Sequence, residues 1–136
     1  MELQVGVKVL LKNPEGKYLL IRRSDDKYQS VTNKWDIPGG RINAGATLLD
    51  NLAREVMEET GLVMNSASRI IGAQDIFDTA NDRHIVRVTY VGTADGEPHL
   101  SEEHTDYQWA TLEEMRALPN LDKYLKTLLE SDITGI

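Results

Sequence analysis

REVMEETG, residues Arg54 to Gly61, places the three glutamates Glu55, Glu58 and Glu59 within five positions. On an α-helix, spacings of three and four bring side chains to one face, so the stretch predicts a helix with an acidic stripe. Such a stripe is either a solvated surface or a place where a positive group belongs. Thr47 followed by Asp50 reads as a capping-box variant and Gly61 as a helix stop, giving a helix over residues 47–60. Leu49, Leu52, Ala53 and Val56 recur at helical spacing and predict an apolar face. The glutamates fall within an arc of about 100°, roughly opposite the line through Leu49, Ala53 and Val56. They are therefore expected to face away from the core, towards solvent or a cleft.

Upstream, LQVGVKVLL (residues 3–11) alternates and then runs apolar, as a strand on a core does. Asn13-Pro14-Glu15-Gly16 is turn chemistry, and KYLLIRR after it completes a hairpin. Residues 24–34 read as a polar loop, and WDIPGG as a short extended piece ending in a break. Downstream, SRIIGAQDIFDT and RHIVRVTYVGTA read as two long strands around an ANDR turn, and residues 95–106 as loop. YQWA is a short strand, Thr111 with Glu114 a second capping box, Pro119 a stop, and LDKYLKTLLES an amphipathic helix. Strands, helix, strands, helices in that order predict a mixed sheet with helices packed on it, in one domain over residues 1–136.

The bulk numbers narrow the chemistry. With 136 residues and 40% apolar content the chain is long enough for a real core. A net charge of −7 disfavours a nucleic-acid polymer as partner. The absence of cysteine excludes disulfides, thiolate metal sites and a thiol nucleophile. No apolar run approaches the roughly 20 residues of a membrane span, and the first residues read as a strand rather than a basic leader. A cytoplasmic protein without membrane contact is the expectation.

Four features converge. Pro38-Gly39-Gly40 permits close backbone approach. The acidic helix face offers oxygen donors for a hard divalent cation. Glu102 and Glu103 lie on a loop able to fold back over the same place. Arg22, Arg23 and Arg41 are placed to hold phosphate oxygens. Carboxylates, a cation and arginines suit attack of water on phosphorus.

With these residues in view, the sequence resembles the Nudix hydrolases, whose box reads G-x5-E-x7-R-E-U-x-E-E-x-G-U, where U is bulky and aliphatic. Gly40 opens the box and Arg54 to Leu62 fills its second half at the required spacing; Ala46 stands where the first glutamate is expected. The resemblance implies an α/β fold, an α/β/α sandwich with a mixed sheet, the box helix on one side and the C-terminal helices on the other. It implies Mg²⁺ or Mn²⁺ held by Glu55, Glu58, Glu59 and the Gly39 carbonyl, with Arg54 orienting the glutamates. Glu58, Glu59 and Arg54 would form the catalytic centre together with a glutamate from a later loop, acting as ligand or general base. Glu103 is the first choice for that role and Glu102 the second. Arg22, Arg23 and Arg41 would bind substrate. Asp50, one turn before Arg54, is a candidate to compensate for Ala46 through an i,i+4 pair worth a few tenths of a kcal/mol.

The implied reaction is hydrolysis of a nucleoside diphosphate linked to a group X, whether a nucleoside triphosphate or an ADP-ribose-like compound. The alternative is a nucleotide-binding module with weakened catalysis, motivated by Ala46. Family members include homodimers as well as monomers, so a homodimer stays open. Elsewhere, His84, His99 and His104 read as ordinary surface or hydrogen-bonding histidines, and Trp35 and Trp109 as core or cleft-wall residues. Tyr28 and Phe77 are candidates for stacking on a base.

Overall fold

A computed structural model describes residues 1–25, 33–131 and 133. Its sheet is built from β1 (Glu2–Lys12), β2 (Tyr18–Arg23), β3 (Trp35–Asp36), β4 (Gly39–Arg41), β5 (Ser66–Asp78), β6 (Arg83–Thr93) and β7 (His104–Ala110). The helices are α1 (Leu48–Thr60), α2 (Leu112–Ala117) and α3 (Lys123–Glu130). The strand order is β3-β2-β1-β6-β5, with β4 also pairing β1 and β7 also pairing β2. β1 and β6 run parallel from Glu2 opposite Arg83 to Lys12 opposite Thr93, whereas the remaining pairings are antiparallel. The sheet is therefore mixed, as the element order predicts.

Alternation along β1 builds two cores. Successive strand residues point to opposite faces, so Val7, Val9 and Leu11 meet Leu52 and Val56 of α1. Leu10 meets Met115, Leu125 and Leu129 of α2 and α3 on the other side. The expected sandwich is present, with the acidic helix on one face and the C-terminal helices on the other. Each fully buried leucine stabilises it by roughly 2 kcal/mol. Among the described residues, no helix is long and apolar enough to cross a membrane.

The caps follow the sequence closely. Thr47 accepts a hydrogen bond from Asp50 N, and Gly61 ends α1 in the left-handed conformation. Thr111 and Glu114 form a reciprocal capping box.

The orientation of α1 corrects one expectation. Leu49 is 43% exposed and Ala53 is also exposed, while Asn51 and Glu59 are buried beside Leu52 and Val56. The reason is polar. Asn51 Nδ2 donates to Arg41 O, its Oδ1 accepts from Asn43 N, and Glu59 Oε1 accepts from Gly39 N. These bonds to the backbone of β4 and the turn after it roll the helix, so that one of the three acids lies underneath rather than outside. A second difference lies in residues 95–106, where β7 already begins at His104, so Glu103 immediately precedes a strand.

Candidate active site

A cleft of about 1390 Å³ opens where α1, β4 and the segment before β7 meet. Its acidic wall carries Glu55, Glu58 and Glu59, with Glu102 and Glu103 facing in from the later segment. The backbone at Gly39 is what brings the helix so near. Its φ of 144° is one that L side chains rarely adopt, and a Cβ there would lie 2.0 Å from Val7 O. At Gly40, a Cβ would lie 2.7 Å from the Glu55 carboxylate. Both glycines therefore let β4 pass between β1 and the acids.

The three box glutamates differ in state. Glu59 is 9% exposed and accepts from Gly39 N at 2.8 Å. Burial pushes its carboxyl up to about 7, with Glu55 and Asp36 adding to the rise and Lys8 and the Gly39 N–H opposing it. Glu55 is half-buried and is also raised, chiefly by burial, against the pull of Arg54. Glu58 is exposed, and both its oxygens accept from Arg54 Nη1, at 2.9 and 3.1 Å. Arg54 Nη2 in turn sits 3.1 Å from Glu55 Oε1 and 3.1 Å from Asn51 Oδ1. The brace for Arg54 thus comes from Asn51, not from Asp50: one turn back on the buried side, an amide already fixed by two backbone bonds can reach the guanidinium. Ala46 lies in the preceding turn, its N–H donating to Asn43 O.

The donors suit a hard divalent cation in kind, being carboxylate oxygens on adjacent turns of one helix beside a glycine backbone. Among the described residues, no three His, Cys, Asp or Glu side chains are drawn together as a ready cage. Arg54 instead supplies the positive charge between Glu55 and Glu58.

Beneath the acids lies a layer of buried charge. Asp36, 2% exposed, meets Arg87 Nη2 at 2.9 Å, Arg23 Nη2 at 3.0 Å and Lys8 Nζ at 3.3 Å. Burial would raise its pKa, but Arg87, Lys8 and Arg23 hold the carboxyl well below the usual carboxylate range. Arg87 also reaches Asp122 at 3.0 Å, and Asp122 caps α3 by accepting from Tyr124 N and Leu125 N.

Of the arginines read as substrate-binding, Arg23 and Arg41 line the cleft. Arg23 is engaged with Asp36, and Arg41 contacts Gln4. Arg22 is not among the lining residues; its guanidinium bonds Asp25 and Thr105. Glu103 is half-buried and Glu102 exposed. His104, by contrast with its reading as an ordinary histidine, is a buried cleft residue with Nε2 3.7 Å from Glu59 Oε2. Its pKa is lowered to about 4, first by burial and then by Lys8 and Arg23. Phe77, 59% exposed, lines the cleft and stacks on His84 at 4.6 Å between ring centroids. His84 also bonds Asp75, and His99 is exposed. Trp35 packs on the core under α2 and α3, and Trp109 on the core under α1. Tyr28 lies outside the described residues.

The motif reading passes over the cleft residues Lys8, Asp36, Arg87 and His104, and over Asn51 behind Arg54. Three carry a signal that pattern analysis can use. Lys8 and Arg87 are single cations inside apolar strands, and Asp36 is a single acid between a tryptophan and an isoleucine. A charge in such a place is rarely buried unless paired.

Comparison with known proteins agrees with this architecture. The family model described as NUDIX domain matches residues 2–131. The crystal structure of a MutT protein from Methanosarcina mazei Go1 is 31% identical, with a TM-score of 0.82 over 95% of this chain and 91% of that one. The m7GpppN-mRNA hydrolase NUDT17 of Danio rerio is 42% identical over 71 residues, covering 50% of this chain but 23% of that protein. The asymmetrical bis(5'-nucleosyl)-tetraphosphatase of Rattus norvegicus is 28% identical over 118 residues, covering 84% of this chain and 77% of that protein. The chain thus spans less than a quarter of the zebrafish relative and most of the rat one.

Proposed function

The chain belongs to the NUDIX domain family, and from that premise we propose that it is a pyrophosphohydrolase cleaving a phosphoanhydride bond in a nucleoside diphosphate linked to a group X. Water attacks phosphorus, and X is phosphate or a further phosphate-linked sugar or nucleoside. The observation that carries this reading is the acidic wall itself. Glu59 is buried against the Gly39 N–H, while Glu55 and Glu58 are braced by Arg54 on the same cleft surface. The M. mazei MutT likeness and relatives named for tetraphosphate and capped-RNA substrates support it.

A divalent cation, Mg²⁺ or Mn²⁺, would be held by Glu55, Glu58, Glu59 and the Gly39 carbonyl, where it would acidify water and neutralise charge on the bridging oxygen. The chain's own groups do the rest. Arg54 keeps Glu55 and Glu58 turned to the cleft. Glu59, held by the Gly39 N–H, keeps its carboxyl fixed at the inner end of the acidic wall. Glu103, which lines the same cleft, would take the proton of the attacking water as a carboxylate base. Arg23 and Arg41 offer N–H donors to phosphate oxygens. The substrate is a small nucleotide, since the chain's charge of −7 works against a long phosphate backbone.

The test is a nucleotide panel with Mg²⁺, read by product identity. Wild type releases phosphate, pyrophosphate or a nucleoside monophosphate, and the Glu58→Gln, Glu59→Gln double variant does not. Nucleotide binding by wild type without turnover would replace this reading with the second one, a binding module weakened at Ala46.

A further inference from the structure

We propose that Lys8 is a substrate-contacting residue, its ammonium donating to a polyphosphate oxygen across the cleft from the carboxylates of α1. The inference rests on the reading that phosphates occupy this cleft, and it adds a cation that the box does not include.

Lys8 lies mid-strand in β1, on the face opposite Val7 and Val9. Its stem runs under the Gly39 backbone, so closely that a Cβ at Gly39 would lie 2.7 Å from Lys8 Cα and 2.9 Å from its Cδ. The side chain is 14% exposed, and what remains open lines the same cleft as Glu55, Glu58 and Glu59. The ammonium is therefore fixed in position before any ligand arrives, which removes much of the entropy a surface lysine loses on binding.

Its bonds leave capacity over. An ammonium has three N–H donors. One goes to Ile37 O at 3.1 Å, and a second faces Asp36 Oδ2 at 3.3 Å. Among the described residues, the third meets no acceptor beyond these two. Lys8 is one of three cations on Asp36, and the nearer two, Arg87 and Arg23, stand 2.9 and 3.0 Å from that carboxylate. Lys8 is thus a preset point charge on the cleft floor, which can turn a donor to a ligand while Asp36 keeps its two arginines. The positive field of Lys8 is felt at Glu55, Glu59 and His104, in each case favouring the less protonated form, as expected of a charge lying among them. A polyphosphate in the cleft would meet both the cation-binding acids of α1 and this ammonium, which line it together.

Calorimetric titration with inorganic pyrophosphate in saturating Mg²⁺, and with Mg²⁺ alone, separates contact from support. Lys8→Met is expected to weaken pyrophosphate binding about tenfold or more, the loss of one charge-assisted hydrogen bond. Mg²⁺ affinity does not fall, since a competing positive charge is removed, and the thermal midpoint stays close to wild type because Asp36 keeps two arginines. Lys8→Arg restores most of the pyrophosphate affinity. Should Lys8→Met fail to fold, Lys8→Gln keeps a donor for Ile37 O, removes the charge, and carries the same expectation.

Equal pyrophosphate affinity in wild type and variant overturns the proposal. So does a loss matched by an equal loss of Mg²⁺ affinity, or no pyrophosphate binding by wild type. Turnover of nucleotides alongside a Lys8-independent pyrophosphate affinity would sink the Lys8 contact and keep the hydrolase. Lys8-dependent binding without turnover of any nucleotide would do the reverse.

Discussion

Arg87 and Asp36 lie side by side under the cleft, Nη2 2.9 Å from Oδ1, with 4% and 2% of their surfaces exposed. The pair joins three distant parts of the chain, because Arg87 also reaches the α3 cap at Asp122. Removing the arginine alone leaves two buried carboxylates short of a partner. Arg87→Met is expected to destabilise the protein by about 3 kcal/mol, measured as a lower urea midpoint. The same pair shapes acid stability. Asp36 has a depressed folded pKa, so its contribution is complete above its ordinary value of 3.8 and is lost as pH falls below it. In Arg87→Met the folded pKa moves back towards that ordinary value, so this acid limb becomes shallower.

Asn51 and Asp50, neighbours in sequence, should behave very differently. Asn51→Ala deprives Asn43 N, Arg41 O and Arg54 of a buried partner, at a cost of about 2–3 kcal/mol. Asp50→Ala keeps the Thr47 cap, which uses its backbone N–H, and costs about 0.5 kcal/mol through the helix dipole. Denaturant unfolding of the two variants checks the contrast, and comparable losses would count against Asn51 as the brace of Arg54.

The Glu59–His104 pair predicts two opposed pH slopes in protein freed of divalent cations. Glu59 is raised from 4.5 to about 7, so its protonated form favours folding at low pH, and that stability is lost as pH rises through 7. The full effect is about 3 kcal/mol. His104 is lowered from 6.5 to about 4, so its contribution is present above 6.5 and lost as pH falls towards 4. Between 4.5 and 6.5 the slopes oppose each other. His104→Gln should expose a stability that declines with rising pH, and Glu59→Gln one that declines with falling pH. Chemical denaturation at half-unit pH steps gives the answer.

Gly39→Ala tests the backbone that brings β4 against the acids. A Cβ 2.0 Å from Val7 O forces β1 and β4 apart, at about 3 kcal/mol or more. Faster amide hydrogen exchange at residues 6–8 and 39–41, with α3 unaffected, is the expected pattern.

The fold was legible because its signals are local. Thr47, Gly61, Thr111 and Glu114 announce helix ends through bonds spanning three or four residues, and the alternation in β1 announces a two-faced strand. The acids of α1 were equally legible, being fixed in spacing by one helix. What stayed hidden is long-range. The roll of α1 depends on Asn51 and Glu59 finding the backbone of β4, and no periodicity records a side chain bonding a carbonyl from another element. The charged layer under the cleft is hidden for the same reason, since Lys8, Asp36, Arg87 and Asp122 come from four separate segments.

The parallel pairing of β1 with β6 also sets a timetable. Glu2 waits for Arg83, Tyr18 waits for Ala110, and Arg87 waits for Asp122. A chain growing from its N-terminus displays the glutamates of α1 long before the floor beneath them exists. Contacts this far apart in sequence form slowly and leave strand edges uncovered meanwhile. The acidic wall is thus synthesised early and the cleft completed last, so a nascent chain carries its repelling carboxylates through folding before Arg87 and Asp122 have closed the floor beneath them.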